Sequence, residues 1–255
     1  MVAAVASWVD ARVHGGAWHV RIDDLDPPRE VPGAADDILR TLEGFGLHWE
    51  GPVVYQSQRH GAYQEALAQL RAQDLLYGCH CSRSDRAGET VYSGTCRERG
   101  LSDDRAIRLR MGQGVVQWED REVGTCRYGL QEDLGDLVLR RADGPWAYAL
   151  ACVVDDAALG VTDVVRGADL LDATAGQIRL QQLLRLPTPR YRHVPVLRNP
   201  LGQKWSKQTL APPVEVAQAP QVLQDVLAWL GLPVVAPAAP AAMLQEVVAT
   251  LPWRP

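Results

Sequence analysis

Strand-like and helix-like segments alternate along this chain. In the first kind, apolar and polar residues alternate over a short stretch, and in the second, apolar residues recur at helical spacing over a longer one. The strand-like stretches include AWHVRIDD at 17–24, GVTDVVRG at 160–167 and YRHVPVL at 191–197, and helical stretches at 34–45 and 173–186 follow two of them. Strands that alternate with helices predict an α/β fold with a parallel sheet and right-handed crossovers. With 255 residues the chain is long enough for one large domain or two small ones.

Hydrophobic periodicity predicts further elements outside this alternation. Valines and alanines recur at helical spacing over 2–13, and WAYALACVVDD at 146–156 has the pattern of another strand. Ser57 is placed to cap the helix that follows it. Two short helices are expected around 222–230 and 242–251, in a tail that is rich in proline and alanine.

The composition excludes several classes of protein. At 47% hydrophobic and 22% charged residues, the chain is globular rather than disordered. A formal net charge of −5 argues against general polyanion binding, so contact with a nucleic acid requires a local patch. No apolar run is long enough to span a membrane, and no secretion signal is recognisable. The odd number of cysteines, five, then favours a reducing compartment, and we expect a cytoplasmic protein.

Charged residues follow three of the strand-like stretches. Asp23, Asp24 and Asp26 come after the first, Arg166 ends the second, and Lys204 lies in the loop after the third. In parallel α/β sheets, ligands bind beyond the carboxyl ends of the strands. Each group alone has a structural explanation: acids in a turn, a surface ion pair or a solvated loop. Their convergence on one edge of the sheet indicates a functional site.

The loop QKWSKQ holds both lysines of the chain. Lysine and arginine together number 26, and since only Lys204 and Lys207 are lysines, the other 24 are arginines. Arginine therefore fills the ordinary surface roles everywhere else. The two lysines could lie together in a solvated loop by chance, but a functional role explains their shared position better. We therefore predict that this lysine loop is functional.

Three cysteines lie close together in GCHCSRSDRAGETVYSGTC. Cys79 and Cys81 are separated by one residue, and Cys96 follows a glycine-containing loop. Thiolates select zinc, and a loop that folds back can close a tetrahedral site, although three reduced thiols in a small core are the alternative. Tyr92, His80 or water is then the fourth ligand. A structural zinc ion also suits a segment with few apolar residues.

These motifs occur in the order found in a known enzyme family. RIDDLDPPREVPGAADDIL, the cysteine cluster, GPWAYALACVVDD, GVTDVVRGADLL and GQKWSKQ together resemble the catalytic half of the class I glutamyl-tRNA synthetases. They resemble more closely a shortened paralogous family, the glutamyl-queuosine tRNA(Asp) synthetases. The resemblance extends to about residue 211, and DPPRE and the cysteine–tyrosine cluster are its most specific parts.

The resemblance implies both a fold and a reaction. The fold is α/β, the Rossmann-type parallel sheet of a class I aminoacyl-tRNA synthetase catalytic domain with an inserted zinc-containing subdomain. The reaction is activation of glutamate with ATP, without tRNA, followed by transfer of glutamate to queuosine in the anticodon of tRNA(Asp). One structural zinc ion and Mg²⁺ are then expected, in a monomeric cytoplasmic enzyme with no membrane partner.

Two other functions stay open at this stage. One is a catalytically inactive, zinc-containing RNA-binding remnant, and the other is a fragment of an ordinary glutamyl-tRNA synthetase. Retention of the lysine pair, Asp23, Tyr148 and Arg166 argues against the first. The short C-terminal tail argues against the second.

The resemblance assigns the ATP chemistry to the lysine loop. Lys207 is the residue expected on the ATP phosphates, and Lys204 and Ser206 are expected to assist it. Because the carboxylate of the substrate is the attacking group, the enzyme must mainly supply positive charge where the α-phosphate gathers negative charge. The zinc ligands of the family match a separate set of residues: Cys79, Cys81, Tyr92 and Cys96.

The resemblance also predicts how glutamate is held. Asp23 matches the acid that binds the amino group, although it is one methylene shorter than the glutamate usual there. Tyr148 and Arg166 match the other glutamate-binding positions. A guanidinium can grip a carboxylate with two hydrogen bonds, which suits discrimination against glutamine. Trp205 replaces the usual methionine or leucine of the lysine loop.

The resemblance finally divides the chain. We expect the first part of the catalytic domain at 1–78, the zinc-containing subdomain at 79–126, the second part with the lysine loop at 127–211 and a helical tail at 212–255. The family begins with a strand and a His-x-Gly-His loop that holds ATP, and the helix after that loop is the one that starts here at Met1. We therefore expect Met1 to be an internal residue of a longer protein.

Overall fold

Helices and strands alternate through most of the chain, as the sequence predicts. The structure, a computed structural model, describes residues 1–26, 31–82, 84–199, 202–205 and 214–252. The α-helices in these ranges are α1 (Val2–Val13), α2 (Ala34–Gly44), α3 (His60–Arg71), α4 (Tyr148–Ala158), α5 (Leu171–Leu184), α6 (Ala219–Trp229) and α7 (Pro240–Thr250). The strands are β1 (Arg21–Ile22), β2 (Val54–Tyr55), β3 (Leu76–Cys79), β4 (Ala106–Leu109), β5 (Val115–Asp120), β6 (Gly124–Gly129), β7 (Val138–Arg140), β8 (Asp163–Gly167) and β9 (Arg190–Val194).

The described strands form three sheets instead of the single Rossmann-type parallel sheet that the sequence predicts. β1 pairs in parallel with β2, while β3, β4 and β7 form an antiparallel sheet. The third sheet has the order β6-β5-β9-β8, in which β8 and β9 are parallel and β5 and β6 form an antiparallel hairpin. The predicted α/β class is therefore confirmed, but the described sheets are mixed and are not clearly of the Rossmann type. Among the described strands β1 does not pair with β8, and a cavity lies between them.

The stretch at 146–156, predicted as a strand, is largely helical. α4 begins at Tyr148, and Gly160 in the left-handed region (φ +67°) follows its end. Four of its eleven residues are alanine, the residue with the highest helix propensity. A short buried helix is apolar on several sides, so its sequence has the same appearance as a buried strand.

Ser57 does not cap the third helix as predicted. α3 starts at His60, after a 3₁₀ turn, and no side chain caps it. Ser57 instead donates its hydroxyl to Asp24 Oδ2 (2.6 Å) and its backbone N–H to Asp24 Oδ1 (2.8 Å). These bonds connect the turn before α3 to the acids that follow β1.

Two apolar cores hold the helices together. The larger core lies between α3, α4, α5 and the strands that they cover. The second core joins α1 to α6 and α7, so the C-terminal helices, which the sequence predicts within three residues, pack against the first helix. A Cβ at Gly46 would lie 2.6 Å from the backbone nitrogen of Ala241, so this close approach requires glycine. No helix in the described ranges is long and apolar enough to cross a membrane.

Asp155 joins α4 to α3 through a fully buried carboxylate. Gln56 Nε2 donates to it at 2.9 Å and the Tyr63 hydroxyl at 2.7 Å, and Arg59 forms an ion pair with it. Because a buried carboxylate is stable only while its donors are in place, this group fixes the relative position of the two helices.

We expect Asp155→Ala to lower the free energy of unfolding by roughly 3 kcal/mol, because Arg59 and Tyr63 would lose a buried acceptor. Asp37→Ala is the control, since Asp37 pairs with Arg40 on the exposed face of α2. Its loss should cost less than about 1 kcal/mol. Urea denaturation followed by circular dichroism measures both, and equally small losses would contradict the expectation.

Candidate active site and metal centre

A cavity of about 500 Å³ lies between β1 and β8. In the described part of the chain β1 pairs with β2 and β8 with β9, so the facing edges of β1 and β8 are not joined to each other. Residues of α1 and α4 complete the walls. The polar residues at the α4 side and the strand edges include Arg21, Tyr148, Cys152, Asp156 and Arg166. Two predicted glutamate-binding residues, Tyr148 and Arg166, therefore line one cavity.

One face of α4 supplies three side chains to this cavity. Tyr148, Cys152 and Asp156 are four residues apart, a spacing that places them above one another on a helix. Desolvation raises the pKa of the Cys152 thiol to about 12, so the thiol stays protonated at neutral pH. Its sulfur accepts a hydrogen bond from Arg21 Nη2 at 3.1 Å.

Asp23 lines the neighbouring groove beside α2, and Arg21 links it to the cavity. Arg21 Nε donates to Asp23 Oδ1 at 2.6 Å, and its Nη1 donates to Asp156 Oδ1 at 2.5 Å. Arg21 and Asp23 are alternate residues and so share one side of the extended chain. Desolvation raises the pKa of Tyr148, and the charge of Asp23 adds to this effect. The predicted set of Asp23, Tyr148 and Arg166 is thus brought together, with Arg21 between.

The other acids after β1 have structural partners. Asp24 accepts two hydrogen bonds from Ser57, and Asp26 accepts one from Arg141 Nη1 at 3.0 Å. Asp24 therefore has the structural role of an acid in a turn, whereas Asp23 binds Arg21 beside the cavity.

Three neighbours hold Arg166 near the end of β8. Its Nε donates to His193 Nε2 at 3.2 Å, and its Nη2 donates to Thr174 Oγ1 and Gln177 Oε1, both at 2.7 Å. Within the described residues no acceptor takes a hydrogen bond from Nη1. Arg166 is therefore not a surface ion pair, and the two N–H groups of Nη1 can meet a ligand in the cavity.

The lysine loop is described only in part. Lys204 forms an ion pair with Asp169, in the 3₁₀ turn that follows β8, and an antiparallel bridge joins Lys204 to Arg198. Trp205 is 43% exposed. Ser206 and Lys207 lie outside the described residues. The described end of the loop therefore stands at the carboxyl end of β8.

The thiols of Cys79, Cys81 and Cys96 form a compact cluster. Their sulfur atoms lie within 4.8 Å of one another. The Tyr92 hydroxyl oxygen lies 3.5 Å from the sulfur of Cys79 and 3.8 Å from that of Cys81, and it accepts the backbone N–H of Cys96 at 2.9 Å. Three sulfur donors and one oxygen at these distances fit a tetrahedral metal ion that prefers thiolates.

Neighbouring side chains hold Tyr92 in place and turn His80 away. His80 Nε2 lies 3.0 Å from the carbonyl oxygen of Ser102, outside the cluster. The buried Arg108 guanidinium lies 3.7 Å from the centre of the Tyr92 ring and donates to the Asp136 carbonyl at 2.6 Å. Of the predicted fourth ligands, Tyr92 therefore faces the sulfurs and His80 does not.

Comparison with known proteins places the chain in a family. A model of the tRNA synthetases class I (E and Q) catalytic domain matches residues 2–227. A glutamyl-Q tRNA(Asp) synthetase of Neisseria meningitidis serogroup B is 50% identical over 245 residues, which cover 91% of this chain and 83% of the relative. That of Chromobacterium violaceum is 52% identical over 238 residues (89% and 80%), and that of Pseudomonas putida 46% over 260 residues (100% and 88%).

The chain therefore belongs to the class I tRNA synthetases of the E and Q type, which are ATP-dependent ligases, and among them to the glutamyl-Q tRNA(Asp) synthetase family. Two crystal structures of glutamate–tRNA ligases share its fold. Those from Elizabethkingia meningosepticum and Elizabethkingia anophelis give TM-scores of 0.78 and 0.79 at 21% and 22% identity. Each match covers 97% of this chain, which spans only 60% and 61% of those ligases.

Sequence reasoning missed several residues of the cavity. Arg21 could have been found from its alternation with Asp23, because both lie on one side of an extended segment. Cys152 and Asp156 lie four and eight residues after Tyr148, a spacing that puts them on the same face of a strand or of a helix, so they could have been found from this spacing. No sequence signal connects His193 to Arg166, because 27 residues separate them along the chain.

We expect Cys79→Ser/Cys81→Ser to abolish metal binding, because it removes two of the three thiolates. Cys126→Ser is the matched control: Cys126 is also buried, but its sulfur contacts the Gly124 carbonyl instead of the cluster. Elemental analysis and the thiolate-to-cobalt absorption of Co²⁺-loaded protein measure the outcome. A wild-type protein that binds no metal, or a double variant that keeps it, would refute the metal centre.

Proposed function

We propose that this chain activates glutamate with ATP, without tRNA, and transfers the glutamyl group to the queuosine base in the anticodon of tRNA(Asp). The main supporting observation is that Arg21, Tyr148 and Arg166 line one cavity, and that Arg21 also binds Asp23 in the adjoining groove. The relatives support the choice of substrate, since they are named glutamyl-Q tRNA(Asp) synthetases and share about half of their residues with this chain.

The charges of Asp23 and Arg166 suit two of the charged groups of glutamate, its ammonium group and its side-chain carboxylate. The ammonium group is assigned to Asp23, whose two oxygens can accept from Arg21 and from a ligand at the same time. Tyr148 is assigned a hydrogen bond to the bound amino acid. The side-chain carboxylate is assigned to Nη1 of Arg166, because Nε and Nη2 already donate to protein acceptors. A neutral glutamine side chain would leave that cation uncompensated.

The activation step needs no protein nucleophile. An oxygen of the substrate α-carboxylate attacks the α-phosphorus of ATP, the bond to the bridging oxygen breaks, and pyrophosphate leaves with that electron pair. The protein must stabilise the negative charge that gathers on the α-phosphate, which is the role assigned to Lys207, Lys204 and Ser206. Mg²⁺ would neutralise part of the phosphate charge. Lys204 stands beside the end of β8 through its ion pair with Asp169, on the same side as Arg166.

The metal centre is assigned to one structural zinc ion, held by Cys79, Cys81, Tyr92 and Cys96. It would cross-link β3 to the loop at 92–96 in a segment with few apolar residues. The four-part division of the chain at residues 78, 126 and 211 stays part of this proposal. So do a monomeric state and a cytoplasmic location.

Glutamate-dependent ATP–pyrophosphate exchange without tRNA tests the activation step. We expect exchange with glutamate and not with glutamine, and a rise of at least about tenfold in the KM for glutamate in Arg166→Met, because a charge-assisted hydrogen bond is lost. Arg127→Met is the control, since Arg127 is an exposed arginine on β6 that does not line the cavity. Equal KM values in both variants would contradict the assigned site.

Transfer of labelled glutamate tests the second half of the proposal. We expect labelling of queuosine-containing tRNA(Asp), including tRNA from which the 3′-terminal adenosine has been removed, and no labelling of tRNA(Asp) that carries guanosine instead. Charging of tRNA(Glu) that requires the 3′-terminal adenosine would instead indicate an ordinary glutamyl-tRNA synthetase. Binding of tRNA without exchange or transfer would indicate the inactive RNA-binding remnant.

A further inference from the structure

A buried chain of hydrogen bonds runs from Arg166 away from the cavity. Arg166 Nε donates to His193 Nε2, and His193 Nδ1 lies 2.5 Å from Asp120 Oδ2. The side chains of His193 and Asp120 are both 0% exposed. Asp120 ends β5 and His193 lies in β9, so a residue of the hairpin meets a residue of the parallel pair beneath the cavity.

The donors around Asp120 fix which atoms carry protons. The Asp120 Oδ1 atom accepts the backbone N–H groups of Glu122 and Val123, both at 3.0 Å, and that of His193 at 3.2 Å. These bonds and the imidazole lower the pKa of Asp120 although desolvation opposes them, so Asp120 is an ionised acceptor. His193 Nδ1 must then donate. Its Nε2 is left without a proton and accepts from Arg166.

Thr174 and Gln177 of α5 accept further hydrogen bonds from the Arg166 guanidinium. The Thr174 hydroxyl accepts from Arg166 Nη2 at 2.7 Å and lies 2.9 Å from His193 Nε2. Gln177 Oε1 accepts the second N–H of Nη2. Within the described residues, the acceptors of Arg166 therefore lie on its Nε and Nη2 edge, which leaves Nη1 available to a ligand.

We propose that His193, oriented by Asp120, is a positioning residue that holds the Arg166 guanidinium with Nη1 directed into the cavity. The identification of the ligand as glutamate rests on the proposed function. His193 does not touch the ligand in this arrangement. It acts by presenting a neutral nitrogen to Arg166, where an imidazolium would present a second N–H and a second positive charge.

The charges that face His193 favour this neutral form. Desolvation lowers the pKa of His193, and the Arg166 charge lowers it further, while Asp120 and Asp169 raise it. Tyr191, two residues away in β9, stacks on the imidazole of His193 with 6.1 Å between the ring centres. The side chains of α5 in this hydrogen-bond network, Thr174 and Gln177, are uncharged. Protonation of His193 in acid would therefore remove the acceptor for Arg166 Nε, and glutamate binding would weaken as a result.

Variants at position 193 separate positioning from stability. His193→Gln can keep an acceptor near Arg166, whereas His193→Leu removes it. Arg192→Leu is the matched control, because Arg192 is the preceding residue of β9, pairs with Glu122 and Asp10, and does not line the cavity. Isothermal titration calorimetry measures the Kd for glutamate, and exchange kinetics measure KM for glutamate and for ATP. Urea denaturation reports whether each variant is folded.

We expect His193→Leu to weaken glutamate binding about tenfold or more, with the KM for ATP changed less than about threefold. His193→Gln should restore most of the affinity, and Arg192→Leu should bind as the wild type does. A folded His193→Leu variant with wild-type affinity would overturn the proposal. So would a His193→Leu variant whose KM for ATP rises as much as that for glutamate.

Nitrogen-15 spectra of the imidazoles test the same link without activity. We expect His193 at neutral pH to be the tautomer with the proton on Nδ1, and Arg166→Lys to shift the Nε2 resonance while Arg192→Leu leaves it in place. A protonated Nε2 at neutral pH would overturn the proposal. If the wild-type protein does not bind glutamate but the spectra show this link, the proposed function fails and the positioning of Arg166 stands.

Discussion

The ion pair of Arg21 with Asp156 connects β1 to α4, and among the described strands β1 pairs with β2 and not with the four-stranded sheet. β1 has only two residues and gains few ladder bonds of its own. Two contacts of this guanidinium, to Asp156 and to the Cys152 sulfur, therefore join β1 to α4, and the same guanidinium also binds Asp23. Because Asp23 is one of these partners, the position of the candidate ammonium site depends on Arg21.

The sequence predicts those parts of the molecule whose partners are close along the chain. The cysteine cluster falls within 18 residues, from Cys79 to Cys96, so its composition and spacing are visible together. The helices at 2–13 and 34–44 have stop signals and clear periodicity, and both are found. The resemblance to a family adds Tyr148 and Arg166, which no local pattern assigns to the same place. The cavity between β1 and β8 brings them together.

The parts that the sequence does not predict depend on tertiary contacts. At 146–156 the apolar residues are compatible with a strand or a buried helix, and packing against α3 and α5 decides for the helix. The contact between Asp120 and His193 joins residues 73 positions apart, and it exists only because β5 and β9 pair at Asp120 and Tyr191. Similarly, Ser57 is a residue type that often caps helices, but its hydroxyl donates to the carboxylate of Asp24, which is a stronger acceptor than a neutral group.

The unequal use of arginine and lysine follows from the same geometry. Arg166 donates to three different side chains and still has Nη1 available, and Arg21 reaches Asp23, Asp156 and Cys152 at once. A lysine has one nitrogen with three donors on a flexible stem, and it could not hold such planar arrangements in a buried site. Under the proposed function the lysine loop has the opposite requirement, because a compact cation on a flexible stem can follow the phosphate as charge develops. If the loop acts on ATP as proposed, the placement of both lysines there and of arginine at positions 21 and 166 matches what each kind of site requires of its cation.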